Sequence, residues 1–164
     1  MQALTRGTFA PDFRLPKVGG GDLSLADVLR RGPVVLAFFK VSCPVCQLAL
    51  PYVERLHAAS AGAASVIGIS QNDEKLTRVF MSEYGLSLPV LLDDPRSYPV
   101  SNAYQLTNVP TLFYIAPDRE IEQTIVGWDR KGMEQIAARL QEVNGAAGVH
   151  IFRRGESVPR FKAG

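Results

Sequence analysis

The residues of this chain that could do chemistry are two cysteines, Cys43 and Cys46, the only cysteines in the sequence. They stand within FFKVSCPVCQLALP, residues 38–51, with two residues between them. A pair at this spacing can be a redox-active dithiol, half of a metal site, a peroxidase centre or two inert core residues. Two cysteines are too few for a disulfide framework or a four-cysteine zinc site.

The cysteines lie where a predicted strand gives way to a predicted helix. The apolar run PVVLAFF, residues 33–39, is typical of a strand buried on both faces, and helical spacing of apolar residues follows over residues 44–59. Pro44 fits the first helical position, where a missing N–H costs nothing. Cys43 is then the N-cap, and its sulfur lies at the positive end of the helix dipole.

This placement predicts two unequal sulfurs. The N–H groups of Val45 and Cys46 can point at the sulfur of Cys43, and a helix N-terminus stabilises a thiolate. Cys46, one turn further, is more covered but close enough for a disulfide, so Cys43 would attack and Cys46 would resolve the mixed disulfide. Lys40 could add to the stabilisation of the thiolate, or could simply mark the polar end of the strand.

Composition limits the classes of function. The 164 residues are 46% hydrophobic with a formal net charge of +2, which indicates one compact domain and gives no reason to expect nucleic acid as a partner. No segment approaches the roughly 20 apolar residues of a membrane helix, and the N-terminus lacks the apolar core of a secretory signal. We expect a soluble, cytoplasmic protein, or an exported one if a leader has been removed.

Strands alternate with helices along the chain, which predicts parallel strands joined by crossover helices. Further strands are predicted at residues 64–70, 87–93 and 111–115, and helices at 24–32, 73–84, 97–106 and 130–143. The alternating segment 120–127 predicts a hairpin with at least one antiparallel strand. Val109-Pro110-Thr111 directly precedes a buried strand, a place that suits a tight turn.

The pattern predicts a single domain over residues 1–143, with an N-terminal extension at 1–32. Residues 144–164 carry little periodicity and begin with Gly145-Ala146-Ala147-Gly148. We expect an extended C-terminal tail there, with one apolar patch at residues 149–152.

Several stretches resemble the thioredoxin superfamily, and within it the TlpA/ResA-type redoxins, also called AhpC/TSA-like. VVLAFFKVSCPVC resembles their strand and redox motif, APDFRLP and DLSLADV their N-terminal hairpin and short helix, and SQNDEKLTRVFMSEYGLSLPVLLDD their inserted helix and strand. NVPTLFYIAPDREIEQTIVGWDRKGMEQI resembles their C-terminal half. The resemblance covers about residues 8–143. It implies a three-layer α/β fold: a central mixed sheet with helices on both faces, an N-terminal hairpin extension and an inserted helix-strand unit.

The resemblance also implies a thiol-disulfide oxidoreductase that acts on protein or peptide disulfides, with no cofactor beyond its own disulfide and with a reducing partner still to be identified. In this family the proline matching Pro110 is cis and packs beside the cysteine pair. It leaves the backbone of the preceding residue, here Val109, free to pair with a substrate chain. Val109, Pro110 and Thr111 would then shape the substrate groove. An ordinary trans turn proline is the alternative.

The chain departs from the thioredoxin pattern in three places. Ser42 stands where a tryptophan usually precedes the first cysteine, and Ala37 and Ala49 stand where many members have a buried acid that moves protons. Some other group, for example a water or Lys40, must then handle the proton of Cys46, and the sequence does not identify it. The Pro-Val dipeptide leaves the N–H of Val45 free for the sulfur, which would favour the reduced form and make the disulfide more oxidising.

Two other functions compete with this one. In a peroxiredoxin alignment Cys46 would be the peroxidatic cysteine, but Cys43 would take the position of the usual hydroxyl residue and Phe39 that of the usual proline. A copper-binding module is the second, because thiolates are good ligands for soft metals. Relatives that carry copper use a CxxxC spacing and a distant histidine, whereas here His57 lies on the helix well past Cys46 and His150 lies in the tail.

Overall fold

The computed structural model of the chain describes residues 2–60, 62–144 and 150–164. Its centre is a sheet of five strands: β3 (Val34–Phe39), β4 (Ser65–Ser70), β5 (Val90–Leu92), β6 (Thr111–Ile115) and β7 (Ile121–Val126). The order across the sheet is β5-β4-β3-β6-β7. The first three strands run parallel, whereas β6 lies antiparallel to β3 and β7 antiparallel to β6.

Helices cover both faces of this sheet. They are α1 (Leu25–Leu29), α2 (Pro44–Ala59), α3 (Glu74–Glu83), α4 (Pro99–Ala103) and α5 (Arg130–Asn144). Because side chains alternate between the two faces of a strand, β3 contributes side chains to two hydrophobic clusters, one on each face of the sheet. Val35 and Phe39 pack in the cluster that contains residues of α2, α3 and α5, whereas Leu36 and Phe38 pack in the cluster that contains residues of α1 and α4.

The fold class predicted from the sequence is confirmed. The N-terminal hairpin is β1 (Arg14–Pro16) and β2 (Asp22–Ser24), and α3 with β5 forms the inserted helix-strand unit. Two elements begin at least two residues later than predicted. Tyr98 has a left-handed backbone (φ 49°), so α4 begins only at Pro99. The backbone N–H groups of Ser87 and Leu88 donate to the carboxylate of Glu54 on α2, so β5 begins only at Val90.

The C-terminal segment lies against the domain. We call residues 150–164 the C-terminal strap. Strand β9 (Phe161–Lys162) pairs antiparallel with β8 (Trp128–Asp129), and the side chain of Ile151 is buried. Of the predicted apolar patch, Val149 lies outside the described residues, as does the Gly145–Gly148 stretch. No helix in the described part of the chain is long and apolar enough to cross a membrane.

Candidate active site

The two cysteines lie at the junction of β3 and α2. Strand β3 ends at Phe39, and Pro44 occupies the start of α2. Cys43 is the N-cap residue, with an extended backbone (φ −86°, ψ 116°). The junction therefore has the geometry that the sequence predicts, with one sulfur at the positive end of a helix of 16 residues.

The sulfur of Cys43 touches two backbone groups. The N–H of Cys46 donates to Cys43 Sγ at 3.2 Å, and the Cys43 thiol donates to the carbonyl oxygen of Val109 at 3.5 Å. The contact expected from the N–H of Val45 is not among the hydrogen bonds of the described residues. Cys43 is a partly exposed residue.

The second sulfur has a different environment. Cys46 is fully buried, and both cysteines are free thiols in the structure. Burial raises the pKa of the Cys46 thiol well above its usual range, and its hydrogen bond with the Cys43 side chain raises it further. Cys46 therefore stays protonated at neutral pH, and Cys43 is the more accessible residue of the pair.

Apolar side chains surround Cys46. Ala37 and Ala49 are buried in the same cluster of side chains as Cys46. Ala37 and Ala49 thus contribute to the apolar surroundings that raise the pKa of the Cys46 thiol.

A turn from another part of the chain faces Cys43. The Val109–Pro110 peptide bond is cis, as the resemblance implied. Thr111 is buried, and its hydroxyl donates to the carbonyl of Asn108 at 2.8 Å. The N–H of Gly127 donates to the carbonyl of Pro110 at 2.8 Å. Together these bonds hold the Val109 carbonyl beside the sulfur.

The loop that leads into Cys43 is held by two amides that the sequence did not single out as site residues. The N–H of Val41 donates to Asn72 Oδ1 at 2.9 Å, and Gln47 Nε2 donates to the carbonyl of Val41 at 3.0 Å. Asn72 lies two residues after the end of β4. Polar residues at the carboxyl ends of parallel strands are a general signal of a site, and residues 70–73 carry it, but turns and helix caps explain the same residues.

The ammonium of Lys40 lies 5.2 Å from the centre of the Tyr98 ring. Both residues line a cleft of about 250 Å³ that Asn108 and Val109 also line. The charge of Lys40 thus faces the side of the site where Val109 lies. Whether it stabilises the Cys43 thiolate stays a prediction.

The histidines lie apart from the cysteine pair. His57 lies in the last turn of α2, and His150 lies at the start of the strap, beside α5. Across residues 2–60, 62–144 and 150–164, no three His, Cys, Asp or Glu side chains come together as metal ligands would.

Comparison with known proteins places this site in a family. The model of the AhpC/TSA family matches residues 7–124. The chain is 30% identical over 143 residues to the thiol-disulfide oxidoreductase ResA of Geobacillus kaustophilus (strain HTA426), covering 86% of this chain and 79% of the relative.

Solved structures share the fold. The thioredoxin domain of a thiol-disulfide oxidoreductase from Bacteroides vulgatus superposes with a TM-score of 0.74 at 18% identity, covering 84% of this chain and 98% of that one. The peroxidoxin BcpB of Mycobacterium tuberculosis superposes with a TM-score of 0.70 at 22% identity, covering 88% and 99%. Because a thiol-disulfide oxidoreductase and a peroxidoxin match about equally well, the fold alone does not distinguish between their activities.

Proposed function

We propose that this chain, a thiol-disulfide oxidoreductase that belongs to the AhpC/TSA family, exchanges disulfides of proteins or peptides through Cys43 and Cys46. One observation carries the proposal. Cys43 is a partly exposed residue whose sulfur lies between the first turn of α2 and the Val109 carbonyl, and the buried thiol of Cys46 lies one turn behind it.

The exchange has two steps. The Cys43 thiolate attacks one sulfur of the substrate disulfide. That S–S bond breaks, one substrate sulfur leaves as a thiolate, and the other is joined to Cys43. Cys46 then loses its proton and attacks Cys43 Sγ, which forms the Cys43–Cys46 disulfide and frees the second substrate thiol. Two electrons pass to the substrate, and a dithiol donor must reduce the pair again.

The turn at Val109 supports an extended peptide as substrate. Its carbonyl lies 3.5 Å from the reactive sulfur. A substrate strand that pairs with the Val109 backbone would bring its own disulfide to Cys43, as in other cases where an extended peptide binds a free backbone edge. Thr111 and Pro110 keep this edge in place.

The peroxidase alternative fits the site less well. In that alignment Cys46 would attack the peroxide, but Cys46 is fully buried and burial raises its pKa. A peroxidatic cysteine must be accessible and must ionise readily. Cys43 meets the first of these needs and Cys46 meets neither.

Trapping the mixed disulfide tests the proposed function. The Cys46→Ser variant, incubated with oxidised insulin as a protein disulfide, should accumulate a covalent adduct that a reductant releases. The adduct should map to Cys43, because no resolving thiol remains. The matched Cys43→Ser variant should form no adduct. An adduct at Cys46 in Cys43→Ser, or fast peroxide consumption by that variant, would contradict the proposal.

A further inference from the structure

The C-terminal strap is anchored to the domain by charge. The guanidinium of Arg55 on α2 donates to both carboxylate oxygens of Glu156, at 2.8 and 2.7 Å, and to the carbonyl of Ile151 at 2.7 Å. The side chains of both partners are only 25% exposed. A bidentate pair of this kind is more specific in geometry than an ordinary surface ion pair.

Aromatic packing supplies a second anchor. Phe152 of the strap lies 5.2 Å from Tyr52 and 6.1 Å from Trp128, measured between ring centres. The indole N–H of Trp128 donates to the carbonyl of Pro159 at 2.7 Å.

The last described residues follow the edge of the site as a strand. The N–H of Arg130 donates to the carbonyl of Arg160 at 3.0 Å, and Lys162 pairs with Trp128. The backbone of the strap lies so close to Gly127 that a Cβ on Gly127 would be 2.5 Å from the carbonyl oxygen of Lys162.

The strap then reaches the turn that faces Cys43. A Cβ placed on Gly164 would collide with the carbonyl oxygen of Val109 and would lie 2.7 Å from Asn108 Nδ2. The same Val109 carbonyl accepts the hydrogen bond from Cys43. The strap end and the reactive sulfur therefore share one backbone group.

We propose that residues 160–164 occupy the groove in which a substrate chain pairs with Val109, so that the strap competes with protein and peptide substrates. This inference rests on the proposed function. A substrate strand and the strap cannot both lie against Val109. The strap end must therefore move away before a substrate strand can pair with the Val109 backbone and bring its disulfide to Cys43. A small disulfide needs only the partly exposed Cys43 and can react with the strap in place.

The competition makes a kinetic prediction. If the strap end is released in about one molecule in ten, the apparent affinity for a protein substrate is about tenfold weaker than that of an open groove. Gly164→Val cannot keep the docked position, because its side chain would meet the backbone of Val109. We expect this variant to lower KM for insulin reduction by about five- to tenfold.

The experiment compares a large and a small disulfide. Insulin and Ellman's reagent are each offered to the reduced wild type, to Gly164→Val and to a chain that ends at Pro159. The matched control is Arg154→Ala, an exposed change in the strap away from the groove. Both strap variants should lower KM for insulin with less than about a twofold change in the rate with Ellman's reagent, and the control should match the wild type.

Two results would overturn the inference, and they differ from a failure of the proposed function. An unchanged KM for insulin would mean that the strap end does not compete, and a raised KM would mean that it is a fixed wall of the groove. Both leave the exchange reaction itself intact. A wild type that exchanges neither disulfide would instead remove the proposed function, and this inference with it.

Discussion

At the residue scale, the site is a pair of thiols made unequal by position. Cys43 caps a helix and is partly exposed, whereas Cys46 is buried among apolar side chains, and burial raises its pKa. At neutral pH the Cys46 thiol therefore stays protonated and covered, and in the proposed exchange the attack is assigned to Cys43. This inequality fixes the order of the two exchange steps.

Alkylation measures this inequality directly. With reduced protein at pH 7, iodoacetamide should modify Cys43 first, leaving Cys46 unmodified until the chain is denatured. The reason is that Cys46 is both covered and protonated. Peptide mapping by mass spectrometry reads the result, and Ser42→Ala is the control because Ser42 is exposed and next to Cys43. Equal modification of both cysteines would contradict the assignment.

The sequence predicts much of this residue chemistry, because N-cap and N1 positions follow from local rules about cysteine and proline at helix starts. Of the two N–H groups that it places at the sulfur, that of Cys46 donates, whereas the bond from Val45 is not among the hydrogen bonds of the described residues. The sequence does not predict that Lys40 lies over Tyr98. That contact depends on side-chain and loop geometry across elements distant in the chain.

At the element scale, the site is the meeting of three chain segments. The start of α2 brings the cysteines, the turn before β6 brings Val109, and the loop after β4 brings Asn72. The strand order β4-β3-β6 places the two other segments on either side of the cysteine loop. The sheet topology thus brings the three segments of the site together, and individual side-chain contacts then set their detailed geometry.

Asn72→Ala should show what the loop after β4 contributes. The N–H of Val41 would lose its acceptor in a partly buried place, at a cost of about 1–3 kcal/mol in the free energy of unfolding. Disulfide exchange should slow as the loop before Cys43 loosens. Urea denaturation and insulin reduction measure the two effects.

The comparison variant for this prediction is Asn102→Ala. Asn102 is exposed, and its amide donates to the carbonyl of Ser97 at 2.9 Å. Its loss should change stability by less than the loss of Asn72. If the two variants lower the free energy of unfolding equally, the hydrogen bond between Val41 and Asn72 contributes no more to stability than an exposed one, which would contradict the prediction.

Periodicity predicts the order and type of the elements on which the site stands. It overestimates β5 and α4, because Glu54 binds the N–H groups of Ser87 and Leu88 from another element, and Tyr98 adopts a left-handed backbone. Both are tertiary effects that a window along the sequence does not contain.

At the scale of the whole molecule, the strap joins the far end of the chain to the site. From the sequence we predict only a tail of little periodicity with one apolar patch at residues 149–152. The reason is that the strap is held by single contacts: Arg55 with Glu156, Phe152 with Trp128, and a two-residue strand. None of these contacts produces a periodic pattern of residues in the sequence. Their partners lie up to 101 positions away along the chain.

Docking of the strap should depend on pH through Glu156. The hydrogen bonds from Arg55, and after them the backbone N–H of Arg153, lower the pKa of this carboxyl from 4.5 to about 2. Because the docked pKa is the lower one, the contribution of Glu156 is fully present above pH 4.5 and is lost as the pH falls through about 2.

The fluorescence of Trp128, the only tryptophan, reports strap docking. The wild type should be constant from pH 7 to about 4.5 and should change between there and pH 2, whereas Glu156→Gln should lack this transition. The exposed Glu83→Gln serves as the matched control, and far-ultraviolet circular dichroism checks that the fold persists. The same transition in Glu156→Gln would assign it to another group.

The redox titration of the Cys43–Cys46 couple in glutathione buffers is the decisive measurement. We expect one two-electron transition, with the oxidised chain lighter by two hydrogen atoms, and no such transition in Cys43→Ser or Cys46→Ser. A thiolate stabilised at the helix N-terminus should place the midpoint above the value of about −270 mV found for thioredoxin. If no intramolecular disulfide forms at any potential, Cys43 and Cys46 are not a redox pair.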